Sequence, residues 1–341
     1  MSASSDVLIT TRFFDGHAAE MLRDRGLRVD TGGLAHDAVD ATISDEMHAS
    51  LEGASAWILG VAPVSRELLT RYPHLQIVAR RGVGFDTVDV AAVKDLGRVL
   101  TITPGCNEPT VADHTLGLML SVAKRMHESH QRVRAGEKSV VVGTELYAKT
   151  VGLVGLGRIA RRVAQRLKGF EVRVLAYDPV PDEQLAQEVG AEYVSFEELL
   201  RQSHFISLHA PLNEGTRHLI NARSIGLMRP GAILVNTARG DLVDDAALLA
   251  ALKSGRLGGA GLDVLGCEHD PALEGITREL LALPNVICTQ HTAGSSREGL
   301  ARANLLAAQC VIAALEGSAM PSGCVVADGR TTRSPPLPAA L

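Results

Sequence analysis

Cysteine is too sparse and scattered to frame a fold. The five, Cys106, Cys267, Cys288, Cys310 and Cys324, form no C-x-x-C pair and leave an odd count. A disulfide scaffold and a zinc framework are excluded, and no metal site is expected. The thiols read as reduced, packed side chains of a cytoplasmic protein, although Cys106 and Cys267 lie beside motifs described below. Basic runs are absent and the formal net charge is -5, so neither a nucleic-acid nor a membrane-surface footprint is present. No apolar stretch reaches the roughly 18 residues of a spanning helix. The N-terminus lacks a basic segment followed by an apolar one, so a signal peptide is not expected. There is no internal repeat. Aromatic residues make up only 3% while glycine reaches 33 residues, a bias toward tight turns and close backbone approaches.

What is present is an ordinary globular composition, 46% hydrophobic and 21% charged over 341 residues. At about 150 residues per domain this corresponds to two domains. The first hundred residues alternate β-rich runs (Val7–Thr10, Ala56–Leu59, Ile77–Ala79, Val99–Ile102) with helical patterns (Ala18–Arg25, Arg66–Arg71, Val88–Leu96). A long helix is expected from Pro109 to Ala135, closed by Gly136. Alternation resumes with strands at Val151–Val154, Val172–Tyr177, Phe205–Leu208, Ala232–Asn236, Gly259–Leu262 and Val286–Thr289. Helices fit at Ile159–Lys168, Glu183–Val189, Phe196–Arg201 and Asp245–Lys253, and a last one at Ser296–Leu315 ends at Gly317. Strands apolar nearly throughout, separated by helices, indicate an α/β fold with parallel sheets covered on both faces. The segment from Ala327, with Pro335, Pro336 and Pro338, reads as a flexible tail.

Within this pattern, Val151–Val154 runs into Gly155-x-Gly157-x-x-Ala160 and then a helix. Gly155 permits a tight turn, Gly157 lets backbone N–H groups approach a pyrophosphate, and Ala160 keeps helix and strand close. The next strand ends in Asp178, 18 residues beyond Ala160. A carboxylate there accepts hydrogen bonds from ribose hydroxyls and repels a 2′-phosphate, and no Arg or Lys follows it, so NAD is expected over NADP. Arg239, Glu268 and His291 each follow a different apolar strand. Beyond the C-terminal strand ends of a doubly wound sheet they face the ligand crevice. Together they suit hydride transfer to a 2-keto acid. A histidine delivers the proton, a carboxylate on its other nitrogen fixes its tautomer, and a guanidinium holds carboxylate and carbonyl oxygen.

The blocks Ala79-Arg-Arg-Gly-Val-Gly-Phe-Asp86, Thr103-Pro-Gly-Cys-Asn107, Val111-Ala-Asp-His114, Gly152–Ala160, His209-Ala-Pro-Leu212, Asn236-Thr-Ala-Arg-Gly240 and Leu262-Asp-Val264 extend this reading. With them the chain resembles the D-isomer-specific 2-hydroxyacid dehydrogenase family over residues 6–326, its phosphoglycerate-dehydrogenase-like members above all. The resemblance implies two Rossmann/flavodoxin-like doubly wound domains with a cleft between them. Residues 1–107 plus 297–326 would bind substrate, 108–296 would bind NAD, and 327–341 would be the tail. Arg239, Glu268 and His291 become the catalytic set. Substrate contacts fall on Arg80, Arg81, Gly82, Val83, Gly84 and Asn107, with the Arg81–Gly84 backbone cradling the carboxylate. Cofactor contacts fall on Gly155, Gly157, Arg158, Ile159, Asp178, His209, Pro211, Thr216, Thr237, Ala238, Arg239, Asp263, His291 and Ala293, with Asp263 on the nicotinamide carboxamide. The partners implied are a small 2-hydroxy or 2-keto acid and a second copy of the chain, through the cofactor domain and the helix after Pro109.

The chain departs from the family pattern in three places. Gln290 replaces the proline before the catalytic histidine, and His269-Asp-Pro271 lengthens the loop after Glu268. Leu59 stands where phosphate-specific relatives carry arginine after the second expected strand, which leaves Arg80 and Arg81 as the cations available to a phosphate. Interconversion of a D-2-hydroxy acid and its 2-keto acid is the leading expectation, 3-phosphoglycerate among the candidates. A glyoxylate or hydroxypyruvate reductase is the alternative within the class, and an NAD(H)-sensing corepressor-like binding module the alternative outside it.

Overall fold

Short apolar runs alternate their side chains across two buried faces, and this makes strands of them. In β1 (Asp6–Ile9), Val7 and Ile9 pack on one face and Leu8 on the other. In β3 (Ala54–Leu59), Ala56 and Ile58 oppose Trp57 and Leu59 in the same way. The computed structural model describes residues 6–330 except residue 269. Among them thirteen strands form two sheets. The chain divides at the same places into two units, one comprising the chain up to Asn107 and again from Ser296, the other Glu108–Ser295.

The first unit holds β1, β2 (Arg28–Asp30), β3, β4 (Ile77–Arg80), β5 (Val99–Thr101) and β13 (Val325–Asp328), in the order β13-β5-β4-β3-β1-β2. β1 to β5 pair in parallel and β13 runs antiparallel on the edge. The parallel part has the flavodoxin-like order 2-1-3-4-5, whose direction reverses between β1 and β3. One helix, Arg297–Glu316, is long and apolar enough to cross a membrane. It lies instead against β3 and β4, with Ala307, Val311 and Ala314 in the core.

The second unit holds β6 (Thr150–Val154), β7 (Arg173–Tyr177), β8 (Ala191–Tyr193), β9 (Phe205–Leu208), β10 (Ala232–Asn236), β11 (Leu257–Leu262) and β12 (Val286–Cys288). All pair in parallel, in the order β12-β11-β10-β9-β6-β7-β8. Counted within the unit this is the Rossmann order 3-2-1-4-5-6 with one further strand, reversing between β6 and β9.

Two expectations fail. The helix expected over Pro109–Ala135 is two helices, Glu108–Ala123 and Met126–Arg134. Arg125 between them is left-handed (φ 50°). The carbonyl of Ala123 accepts from Thr144 N at 2.8 Å, so a returning loop caps the first helix. The second helix buries no residue, so no packing holds it in line with the first. The tail does not begin at Ala327: Ala327 is 2% exposed and pairs with Leu100 in the sheet. Residues 331–341 lie outside the described residues.

A buried carboxylate ties the first unit together. Asp40 accepts from Thr10 Oγ1, Gly60 N and Val61 N, each at 2.7 Å, and Trp57 Nε1 donates to Thr10 Oγ1 at 2.9 Å. Asp40 thereby joins the C-terminal ends of β1 and β3. Removing it strands three donors, each worth about 1–3 kcal/mol. Asp40→Ala is expected to lose about 3 kcal/mol in denaturant unfolding. A loss below about 1 kcal/mol would show that water replaces the carboxylate.

Candidate functional site

At the reversal point of the second sheet, β6 runs through Gly155 into the helix Arg158–Leu167. Gly155 has φ 89°, and a Cβ there would come within 3.0 Å of the His209 backbone. Only glycine turns in so little space. At Gly157, the helix N-cap, a Cβ would meet nothing within 4 Å, and no side chain caps the helix. Uncapped N–H groups facing open space suit a pyrophosphate. Ala160 is fully buried, as close helix–strand packing requires. At the end of β7, Asp178 accepts from Leu156 N and from Val180 N, both at 3.0 Å, one on each carboxylate oxygen. Each oxygen keeps a lone pair for a ribose hydroxyl. The cradle and the acid fit a dinucleotide without a 2′-phosphate.

His209 stands at the end of β9, with Nε2 at 2.9 Å from Ser207 Oγ. Burial pushes its pKa down to about 4, so the ring is neutral at physiological pH. Thr216 donates to Pro211 O (2.7 Å) and accepts from Asn213 N (2.8 Å), closing the turn that follows. Arg158 is exposed and Ile159 half-buried on the first turn of the helix.

Arg239, Glu268 and His291 follow β10, β11 and β12, which are neighbours in the sheet. Glu268 Oε2 lies 2.7 Å from His291 Nδ1, and its Oε1 accepts from Leu265 N at 2.7 Å. A carboxylate on Nδ1 keeps the proton there and so fixes the tautomer of the ring. Arg239 Nη1 donates to Ala238 O at 2.7 Å. Its turn is braced by buried Asn236, whose Oδ1 accepts from Ala238 N and whose Nδ2 donates to Arg239 O. Thr237 Oγ1 meets Thr115 Oγ1 at 3.0 Å. At Gly240 a Cβ would come 2.3 Å from Leu265 C, so only glycine lets the Arg239 turn pack on the Glu268 turn.

His291 sits in the left-handed region (φ 50°), and Asp263 holds it there. His291 N donates to Asp263 O at 2.8 Å. The Asp263 carboxylate, 1% exposed, accepts from Thr289 Oγ1 (2.6 Å), Thr292 N (2.8 Å) and Ala293 N (2.8 Å). Thr289 gives its only proton to Asp263, so it accepts from His114 Nε2 at 2.9 Å. Gln290, where relatives carry proline, is exposed beside this anchorage. Asp263 thus has a job the sequence reading did not assign, and His114, Thr289 and Asn236 join the site. Partners 175 residues apart, as His114 and Thr289 are, leave no local pattern to find.

Arg80, Arg81, Gly82, Val83, Gly84 and Asn107 belong to the first unit, apart from the set above. Gly82 has φ 145° and its N–H donates to Thr103 Oγ1 at 2.9 Å. Asn107 Oδ1 is buried without a hydrogen-bond partner among the described residues. Leu59, the last residue of β3, is fully buried. A Cβ at the next residue, Gly60, would meet Asp40 Oδ1 at 2.6 Å. His269 lies outside the described residues. The described cysteines are free, and no metal-holding cluster of His, Cys, Asp or Glu occurs among the described residues.

A Rossmann sheet with a phosphate turn, a ribose carboxylate and a histidine–carboxylate pair defines a dinucleotide-dependent oxidoreductase. Residues 116–293 match the family described as D-isomer specific 2-hydroxyacid dehydrogenase, NAD binding domain. The glyoxylate reductase of Korarchaeum cryptofilum is 40% identical over 266 residues, 76% of this chain and 79% of that protein. The D-3-phosphoglycerate dehydrogenase of Methanocaldococcus jannaschii is 37% identical over 257 residues, 74% of this chain and 48% of that one. The D-lactate dehydrogenase of Aquifex aeolicus, solved with NAD and lactic acid, superposes with a TM-score of 0.82 at 32% identity, covering 94% of this chain and 99% of that chain. The chain belongs to the D-isomer specific 2-hydroxyacid dehydrogenase family, and it is an NAD-dependent enzyme.

The anchorage of His291 is open to test. In Asp263→Asn an amide N–H opposes the Ala293 or the Thr292 N–H, whichever way the amide turns. We expect kcat/KM to fall about 10- to 100-fold, the size of one charge-assisted hydrogen bond. Steady-state kinetics with NADH titrations would check this. Unchanged kcat/KM would remove Asp263 from the site.

Proposed function

We propose that the enzyme interconverts a small D-2-hydroxy acid and its 2-keto acid. The observation that carries this reading is the 2.7 Å Glu268–His291 contact between the loops after β11 and β12, with β11 beside β10, which presents Arg239. In reduction the protonated His291 ring gives its Nε2 proton to the carbonyl oxygen. Bound NADH supplies the hydride to the carbonyl carbon. In oxidation Nε2 takes the hydroxyl proton. Glu268 holds Nδ1–H and compensates the charge of the imidazolium. Arg239 grips the substrate carboxylate and polarises the carbonyl. Gly155, Gly157 and Asp178 would hold the cofactor, with His209, Pro211, Thr216 and Ala293 as further contacts.

The names of the relatives support two substrates, glyoxylate or hydroxypyruvate on one side and phosphorylated hydroxypyruvate on the other. We place the enzyme in the cytoplasm, as its free thiols suggest. We also read it as a homodimer. Exposed Met126, Val133, Val140, Val142 and Tyr147, gathered in one stretch of the cofactor-binding unit, support that state.

Positioned acid–base catalysis contributes about 10²- to 10⁴-fold. His291→Ala is expected to lower kcat with a 2-keto acid by that factor while NADH fluorescence titration still shows binding. Turnover close to wild type would sink the assignment.

A further inference from the structure

The first unit carries an arginine that the steps above leave unused. Arg81 follows β4, and its backbone N–H donates to Leu59 O at the end of β3 (3.0 Å). Its side chain continues past that strand, and Nε donates to Thr11 Oγ1, beyond the end of β1 (2.5 Å). The sheet order is β4-β3-β1, so the side chain crosses the C-terminal end of β3. That is the reversal point of this sheet, where doubly wound folds open their ligand crevice. Gly60 leaves the end of β3 bare beneath it.

The surroundings are cationic. Arg80 Nη1 donates to Arg81 O at 2.7 Å, and its guanidinium lies over Gly82, 3.0 Å from where a Cβ would stand. Among the described residues Arg81 makes no ion pair. Asp40 is the carboxylate that acts on Arg81, and it already accepts from Thr10, Gly60 and Val61. Burial, then Arg80 and Arg12, push the Arg81 pKa down to about 10. The guanidinium stays charged at neutral pH, in a place where positive charge is disfavoured until an anion arrives.

We propose that Arg81, with Arg12 beside it, forms a second anion subsite that selects 2-keto acids bearing a further anionic group, a phosphate or a second carboxylate. The inference rests on the dehydrogenase reading and deepens it. The Gly82–Gly84 backbone takes the carboxylate next to the carbonyl, and Arg81 takes the distal anion.

The test compares kcat/KM for 3-phosphohydroxypyruvate and oxaloacetate with kcat/KM for hydroxypyruvate and glyoxylate, by NADH oxidation. The wild type is expected to prefer at least one dianion by about 10-fold or more, and the better of the two identifies phosphate or carboxylate as the distal group. In Arg81→Gln and Arg12→Gln the dianion-to-monoanion ratio is expected to fall about 10- to 100-fold, as loss of a charge-assisted contact implies. A ratio taken within one variant is independent of the fraction that folds, and Arg12→Gln leaves the Arg81–Thr11 bond in place. A wild type that prefers monoanions, or a ratio unchanged in both variants, overturns the subsite and leaves the dehydrogenase reading standing. Absence of turnover with all four acids overturns that reading and the subsite with it.

Discussion

A parallel strand cannot be followed by a hairpin. The chain must cross over, normally through a helix, before it enters the sheet again. Every parallel strand of a sheet therefore ends on the same edge. In the second unit this constraint brings Gly155, Asp178, His209, Arg239, Glu268 and His291 to one edge from six sheet positions and more than a hundred residues of chain. It acts again in the first unit, where Thr11, Gly60 and Arg81 follow β1, β3 and β4. The chemistry needs residues distant in sequence to meet, and the topology does that before any specific contact is made.

What topology leaves loose, aspartates at the strand ends tighten. Asp40 gathers two backbone N–H groups and a hydroxyl at the ends of β1 and β3. Asp263 gathers two N–H groups and a hydroxyl at the ends of β11 and β12. Asp178 links the phosphate turn to the end of β7 through two further N–H groups. Loops beyond strand ends have no ladder to satisfy their N–H groups, and an ionised carboxylate offers about four acceptor sites in a small volume. The same device thus sets the shape of each ligand edge. It also holds His291 in its left-handed backbone, through Asp263.

The sequence revealed most where local rules coincide. Arg66–Arg71, Glu183–Val189, Phe205–Leu208, Ala232–Asn236 and Asp245–Lys253 match their expected bounds, because apolar runs and caps agree there. Ser65 caps the first and Asp244 the last of these, each through its side chain. The turn at Gly155 and the strand-end placement of Arg239, Glu268 and His291 were legible for the same reason. Elements that depend on distant partners were not. β13 has four residues and forms only because β5, more than two hundred residues earlier, offers a free edge. The break at Arg125 depends on Thr144 folding back onto Ala123.

The histidine–glutamate pair shows why the site is not an incidental ion pair. The side chains of His291 and Glu268 are 43% and 30% exposed. Exposed pairs of this kind contribute about 0–1 kcal/mol to stability. The loop that carries His291 is held by Asp263 instead, whose side chain is almost fully buried. A left-handed non-glycine residue costs about 1–3 kcal/mol and persists only where its surroundings over-determine it. Stability alone gives no reason to hold an exposed imidazole in a strained backbone against an exposed carboxylate. The proposed delivery of a proton from Nε2, with Nδ1 fixed, does.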